Sequence, residues 1–502
     1  MGSLFVGLDV GTQGCKCIIF ELSTKTVLSR GAKPYGLTSQ RPGQAEQDPS
    51  VWVENGRDAM REAISGLKDS DVARIKAIGV SGQQHGLVVL DSEGKVVRPC
   101  KLWCDTESSA EAEELSQELG FTLGPAFTAT KVMWLQRNEP ENWSKTRRVL
   151  LPKDYFNYWL TGEVNTEASD SSGTGYYDAA ARRWDEKALD CINLPADYLP
   201  ALVGPSEALG SVRKEVAAEI GLPDGVLVSP GGGDNAMSAL AAGATSNGVM
   251  VMSLGTSGTL FGYSSDPVAD QTGTICPFAD CTGAYLPLVC TLNCTEVPED
   301  VRAMCRDEVT REELTAMAEA EPAGCRGLTY IPYLRGERTP NVPNASGALI
   351  GLRHGFLGNP GLMYRAALEG VTYSLLAGAM RMRALGVSDL TELRVVGGGA
   401  RNKLWCQIVA GAFGVPVVLV EEEETAALGA ALQAAAVGSG VDDVAGFVAA
   451  NGPAAGEPIE PNSAEAAAYA DAIERHATLS ESIWGPALPK KTTSIRLDKI
   501  FG

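Results

Sequence analysis

Two short apolar runs open the chain, Leu4–Val10 (LFVGLDV) and residues 15–22 (CKCIIFEL), joined by Gly11-Thr12-Gln13-Gly14. Apolar runs flanking a short Gly-rich turn predict a β-hairpin. Residues 48–67 (DPSVWVENGRDAMREAISGL) then carry apolar positions at helical spacing, with Asp48 as N-cap and Pro49 at the first helical position. IKAIGVSG follows as a short buried strand leading into QQHG. Hairpin, helix and strand in that order predict a mixed α/β sheet.

The pattern recurs in the middle of the chain. NGVMVMSLGTSGTLFGY again has an apolar run, a Gly-Thr-x-Gly turn and a second apolar run. DVGTQG and SLGTSG align glycine for glycine and threonine for threonine, with Ser253 where the first copy has Asp9. An internal echo at this distance predicts two domains of related topology, each opening on its own hairpin; coincidence between two Gly-rich turns is the alternative. Further on, GLMYRAALEGVTYSLLAGAMRMRAL reads as a helix, and ELRVVGGGA as a strand running through three glycines into a helix at RNKLWCQIVAGAFG. EEEETAALGAALQAAAVG reads as another helix, its four acids gathered at the N-terminal end where the helix dipole favours them. The predicted division is 1–245, 246–480 and a peripheral polar tail over 481–502.

Composition narrows the function. With 44% apolar and 21% charged residues, the 502-residue chain has the balance of a globular protein. No stretch approaches the roughly 18 uninterrupted apolar residues of a membrane span. No basic region precedes the first apolar run, which argues against a secretion signal, and Val6 stands where a myristoylation motif needs Ser or Thr. The expected location is cytoplasmic. A formal charge of −20 opposes nucleic acid and acidic membranes, so a polyanionic substrate needs a local nest of amides or a metal ion. Twelve scattered cysteines suit a reducing compartment. Cys276, Cys281, Cys290, Cys294 and Cys305 lie fairly close together but without a C-x-x-C knuckle, so small buried apolar residues are favoured over a zinc site.

Two nucleotide motifs are excluded. No G-x-x-x-x-G-K-[ST] occurs, and the glycines of GLDVGTQG are neither spaced as G-x-G-x-x-G nor followed by a helix. The strongest chemical candidate is VLVSPGGGDNAMSALAAGA, where a strand runs through three glycines into Asp234, Asn235 and a small-residue helix. Asp234 there can accept a proton from an alcohol, or can simply cap the helix. The residues alone leave both open. Gln83, Gln84 and His85 in GQQHG offer amides and an imidazole at a strand end, groups suited to hydroxyl-rich ligands. Trp103 and Asp105 in KLWCDTE put an aromatic plane beside a carboxylate, a common sugar-facing pair. The glycines of GGGARN can bring a helix N-terminus close to a nucleotide.

Taken in order, GLDVGTQGCK, SGQQHG, LWCD, FTATKVMWL, LLPKDY, LTGE, SDSSGT, GGGDN, SLGTSG, PYLRGERTP, ALEGVTYSL and GGGARNKLW resemble the FGGY carbohydrate kinases, most closely the branch acting on xylulose. The resemblance implies an α/β fold of two actin-like, ribonuclease-H-like domains with ATP and sugar in the cleft between them. The first domain would hold the sugar and the base, the second the nucleotide. It implies Asp234 as the catalytic base and Asp9 as the acid near the phosphates and a Mg2+ ion, held directly or through water. Gly11, Thr12 and Gly14 match the first phosphate turn, and Gly255, Thr256 and Ser257 the second. Gln84 and His85 match sugar contacts, with Trp103, Asp105 and Asn235 as neighbours, and Gly398, Gly399 and Asn402 match the adenosine site. Gln84 and Cys104 depart from the Met and Asn of the pattern. The implied reaction is ATP-dependent phosphorylation of D-xylulose to D-xylulose 5-phosphate. A kinase for another ketose or polyol such as ribulose, and an actin-like nucleotide-dependent binding protein, are the alternatives. Expected partners are the sugar and ATP, with a homodimer left open.

Overall fold

A computed structural model describes residues 2–305, 309–453 and 456–485. The first apolar runs form β1 (Leu4–Val10) and β2 (Gly14–Glu21), an antiparallel hairpin extended by β3 (Thr26–Pro34). Helix α1 (Pro49–Ser65) starts as the sequence predicts: Asp48 accepts from Ser50 N at 2.9 Å and Pro49 occupies the first turn. β4 (Ile75–Gly82) pairs parallel to β1. Three short strands, β5 (Gly210–Ser211), β6 (Leu227–Val228) and β7 (Gly232–Gly233), complete a seven-stranded sheet in the order β5-β6-β4-β1-β2-β3, with β7 also pairing with β4. Helix α2 (Asp234–Ala241) leaves directly from β7.

The second half repeats this plan. β8 (Val249–Leu254) and β9 (Gly258–Gly262) form the second hairpin, flanked by β10 (Cys276–Ala279) and β11 (Tyr285–Thr291). Helices α3 (Glu296–Met304) and α4 (Pro360–Ala384) precede β12 (Glu392–Val396), which pairs parallel to β8. Helix α5 (Lys403–Phe413), β13 (Val417–Leu419) and helix α6 (Thr425–Gly438) follow. The six strands run β10-β11-β9-β8-β12-β13, so the hairpin and its parallel neighbour occupy equivalent positions in both sheets.

Strands β1 and β4 are buried almost throughout, which explains their continuous apolar runs. Helix α6 comes from the second half yet packs on β1, β4 and α2. The approach needs missing side chains: a Cβ at Gly7 would lie 1.9 Å from Ala427 O, and one at Gly79 2.0 Å from Ala430 O. The four acids expected in the first turn of this helix precede it instead, with Glu424 at the N-cap. Arginine and lysine partners hold them there: Glu422 pairs with Arg30 at 2.7 Å, Glu424 with Lys16 at 2.8 Å, and Glu423 with Arg401.

Among the described residues no helix is long and apolar enough to cross a membrane. All twelve cysteines are free. Of the tail expected over 481–502, residues 481–484 end the helix Ala466–Trp484, and everything from 486 on lies outside the described residues.

Candidate active site

Strand register assembles the site. Asp9 stands opposite Ser81 of β4, and Ser81 opposite Gly232 of β7. One residue further, Val10, Gly82 and Gly233 align across the same three strands, and Asp234 follows immediately. Two carboxylates distant in sequence are therefore brought to the same end of the sheet, on either side of β4, the usual place for a ligand in an α/β sheet.

Ser81 Oγ donates to Asp9 Oδ1 at 2.8 Å. Burial pushes the Asp9 carboxyl up to about 6, against the Ser81 hydrogen bond and the Lys16 charge, with Glu424 adding to the rise. Asp234 is pushed up to about 7, by burial first and by the Asp9 charge second. The N-cap of α2 is Gly233, so Asp234 stands inside the first turn and is not the capping residue. Its Oδ1 accepts from Asn235 N at 2.7 Å and from Asn235 Nδ2 at 2.9 Å. Its Oδ2 makes no hydrogen bond among the described residues. Asn235 Nδ2 also donates to Gln84 Oε1 at 3.2 Å, tying the amide of GQQHG to the acid.

Both Gly-Thr turns are closed by the amide of their first glycine, over spans that differ by one residue. Gly11 N donates to Gly14 O at 3.1 Å, and Gly255 N to Ser257 O at 3.2 Å. The amides of Thr12 and Gln13, and of Thr256 and Ser257, have no acceptor among the described residues. Successive free amides of this kind make a concavity for an anion. Thr12 Oγ1 donates to Gln83 Oε1 and accepts from Trp103 Nε1, each at 3.0 Å. Gln47 holds the same turn through Thr12 O at 2.7 Å and accepts from Trp52 Nε1 at 2.8 Å.

His85 adopts a left-handed backbone with φ 65°, and its ring lies 5.3 Å from Phe127 and 5.7 Å from Phe278. Its Nδ1 lies 2.6 Å from Gly173 O, and since a carbonyl only accepts, Nδ1 carries the proton and Nε2 is left as an acceptor. The contact requires glycine, because a Cβ at 173 would lie 2.0 Å from Nδ1. Burial, with Lys131 next, pushes the imidazole down to about 3, so it is neutral at ordinary pH.

The other expected residues divide. Trp103 is 45% exposed and carries an open ring, whereas Asp105 is 0% exposed and turns into the protein. Asp105 accepts from Ala45 N at 2.8 Å and from Lys101 Nζ at 3.2 Å, fixing the loop that carries Trp103. Glu46, Asp105 and Glu107 converge as a metal-like group, but Lys101 Nζ stands among them and supplies the positive charge. Gly398 has open space where a Cβ would stand, and Gly399 packs on Leu254 just before the second turn. Asn402 caps α5 through Trp405 N at 3.1 Å and donates to Thr315 Oγ1 at 3.2 Å.

Sequence reasoning missed Ser81, Gln47 and Lys16. Ser81 stands immediately before GQQHG, and Lys16 faces Asp9 across the hairpin, a relation readable from the turn length. Gln47 gives no local signal.

Two α/β domains of repeated topology, with paired Gly-Thr turns and an acid at the strand ends, define a phosphotransferase-like frame. The N-terminal domain model of the FGGY family of carbohydrate kinases matches residues 4–241 and its C-terminal domain model residues 250–437, and the chain belongs to that family. It is a sugar kinase that uses ATP. Among its relatives, the xylulose kinase of Haemophilus influenzae is 36% identical over 86% of this chain and 90% of that protein. The xylulose kinase of Streptomyces coelicolor is 40% identical over 88% and 90%. The crystal structure of a xyloylose kinase from Brucella ovis superposes with a TM-score of 0.89 at 34% identity, covering 96% of this chain and 99% of that one.

Proposed function

We propose that the chain transfers the terminal phosphoryl group of ATP to the 5-hydroxyl of D-xylulose, yielding D-xylulose 5-phosphate and ADP. The observation that carries the base assignment is Asp234: it is freed from capping by Gly233, anchored through Oδ1, and open at Oδ2. Asp234 Oδ2 takes the hydroxyl proton as the oxygen–phosphorus bond forms and the bond to the ADP oxygen breaks. A carboxyl pushed up to about 7 is a fitting base at neutral pH. The identity of the acceptor rests on the xylulose kinases among the relatives.

In this reading the free amides of the two turns hold the phosphates from opposite sides, and Gly398, Gly399 and Asn402 line the adenosine. Gln84, His85, Asn235 and Trp103 present donors, acceptors and a flat ring to the sugar. Phosphoryl transfer demands little covalent help from the protein, so positioning and charge supply most of the rate. A Mg2+ ion fits the donor set: Asp9 Oδ2 is free of hydrogen bonds among the described residues, and magnesium favours one or two carboxylates with substrate phosphates. When bound, the ion offsets phosphate charge. The domains are proposed to divide near 245, and a cytoplasmic location agrees with twelve free cysteines.

ADP release measured across pentuloses, hexuloses and polyols tests the reading. D-xylulose should give the highest kcat/KM. Higher turnover with ribulose or a polyol reassigns the acceptor, and no stimulation by any sugar refutes the transfer reaction. Asp234→Ala should lower kcat by ~10²–10⁴-fold with nucleotide binding retained.

A further inference from the structure

The buried cations of this protein have fixed partners. Arg98, Lys101, Lys153, Arg365 and Arg381 each pair with a carboxylate, and Lys131 donates to the carbonyls of Pro125, Ala126 and Phe127. Arg338 differs. It is half-buried, forms no ion pair among the described residues, and its one side-chain hydrogen bond runs from Nη2 to Cys276 Sγ at 3.4 Å. A guanidinium has five N–H donors, so most of them are unspent. In a chain of net charge −20, a sheltered arginine without an acid is a group kept for something else.

Its place is defined by β10. Cys276 and Phe278 are two residues apart on that strand, so their side chains share one face. Phe278 lies against the His85 ring at 5.7 Å. The guanidinium beside Cys276 therefore lies next to the His85 end of the site, presented by the second half of the chain. The segment carrying it is tied down on both sides. Glu337 Oε1 accepts from Arg338 N at 2.7 Å and from Leu292 N at 2.6 Å, and Thr339 Oγ1 donates to Cys290 O at 2.9 Å.

We propose that Arg338 is a sugar-binding residue: it donates hydrogen bonds to carbonyl or hydroxyl oxygens of the acceptor at the His85 end, away from the oxygen that receives phosphate. This rests on the sugar-kinase reading above. It gives the second domain a hand on the sugar, so the acceptor is gripped from both sides of the cleft.

Arg338→Met keeps the apolar stem and removes every donor, and Arg338→Lys keeps the charge with fewer donors. Steady-state kinetics, calorimetric titration of the sugar and thermal melting are measured on both variants and the parent. Loss of hydrogen bonds from a charged donor should raise KM and Kd for the sugar by ~10–100-fold in Arg338→Met, with KM for ATP within about twofold and the lysine variant intermediate. An unchanged sugar KM and Kd in Arg338→Met overturns the proposal. So does parallel weakening of sugar and ATP together with a lowered melting temperature, which marks a structural residue. Should no sugar stimulate ADP release by the parent, the transfer reading fails and this proposal with it; sugar-stimulated parent activity combined with an indifferent Arg338→Met sinks the proposal alone.

Discussion

Asp9 and Ser253 occupy the same position in two sheets. Asp9 is paired with Lys16 on its antiparallel side and Ser81 on its parallel side; Ser253 is paired with Thr259 and Val396 in the corresponding places. The backbone plan is the same in both sheets, and only the first carries an acid at this position. That asymmetry is itself testable. Ser253→Asp puts a second carboxylate at the other phosphate turn, where like charge opposes a polyphosphate, and KM for ATP should rise by at least ~10-fold. Ser253→Ala should leave it nearly unchanged. Initial-rate measurements at varied ATP decide the point.

The acid pair predicts the pH dependence. With Asp234 as the proposed base, kcat/KM for the sugar should climb with pH through a value near 7. His85, pushed down to about 3, adds no second limb in the neutral range. A pH–rate profile in which the acidic limb disappears would contradict the base assignment.

The same shift makes the site a source of instability. Asp234 has a folded value of about 7 against 3.8 in the unfolded chain, so the folded state binds its proton more tightly. The resulting stabilisation is complete below pH 3.8 and is lost as pH rises through about 7. At pH ~8 Asp234→Asn should therefore melt a few degrees higher than the parent while being inactive, an effect of at most ~4 kcal/mol. Near pH ~4 the two should melt together. Calorimetry at both pH values checks the crossover.

Thr12 is a joint between the phosphate turn and the sugar side, since its hydroxyl meets both Gln83 and Trp103 at 3.0 Å. Thr12→Val keeps the shape and removes both bonds. At ~1 kcal/mol each, kcat/KM should fall by ~10–30-fold, and the emission of Trp103 should shift with its indole N–H released.

Much of the fold was legible because its signals are local. Both hairpins announce themselves by apolar runs around Gly-Thr turns, and Asp48-Pro49 marks a helix start where one is found. Asp234 shows the limit of local reading. The residues alone leave it as base or cap, and β7, by placing Gly233 at the N-cap, removes only the capping role. Asp105 looked like a partner for Trp103, yet it faces Lys101, because a side chain's direction in a loop is set by tertiary contacts. The acid run 421–424 reads as a favourable first helical turn. Its actual position depends on Arg30, Lys16 and Arg401, cations that no helical periodicity connects to it.

The placement of α6 was invisible for the same reason and has the widest reach. Gly7→Ala or Gly79→Ala would drive a methyl into helix backbone, which has no soft side chain to yield, and should cost about 1–3 kcal/mol or more in denaturant unfolding.

Since one wall of the first sheet is supplied by a helix of the second half, the molecule cannot be cut into halves as its repeated plan suggests. A ribosome that has released only the first 245 residues has made a sheet with a bare apolar face, and that face must wait for some 180 further residues before α6 arrives to cover it. The repeated plan is therefore not a pair of self-sufficient units, because the first sheet takes its cover from a helix of the second half.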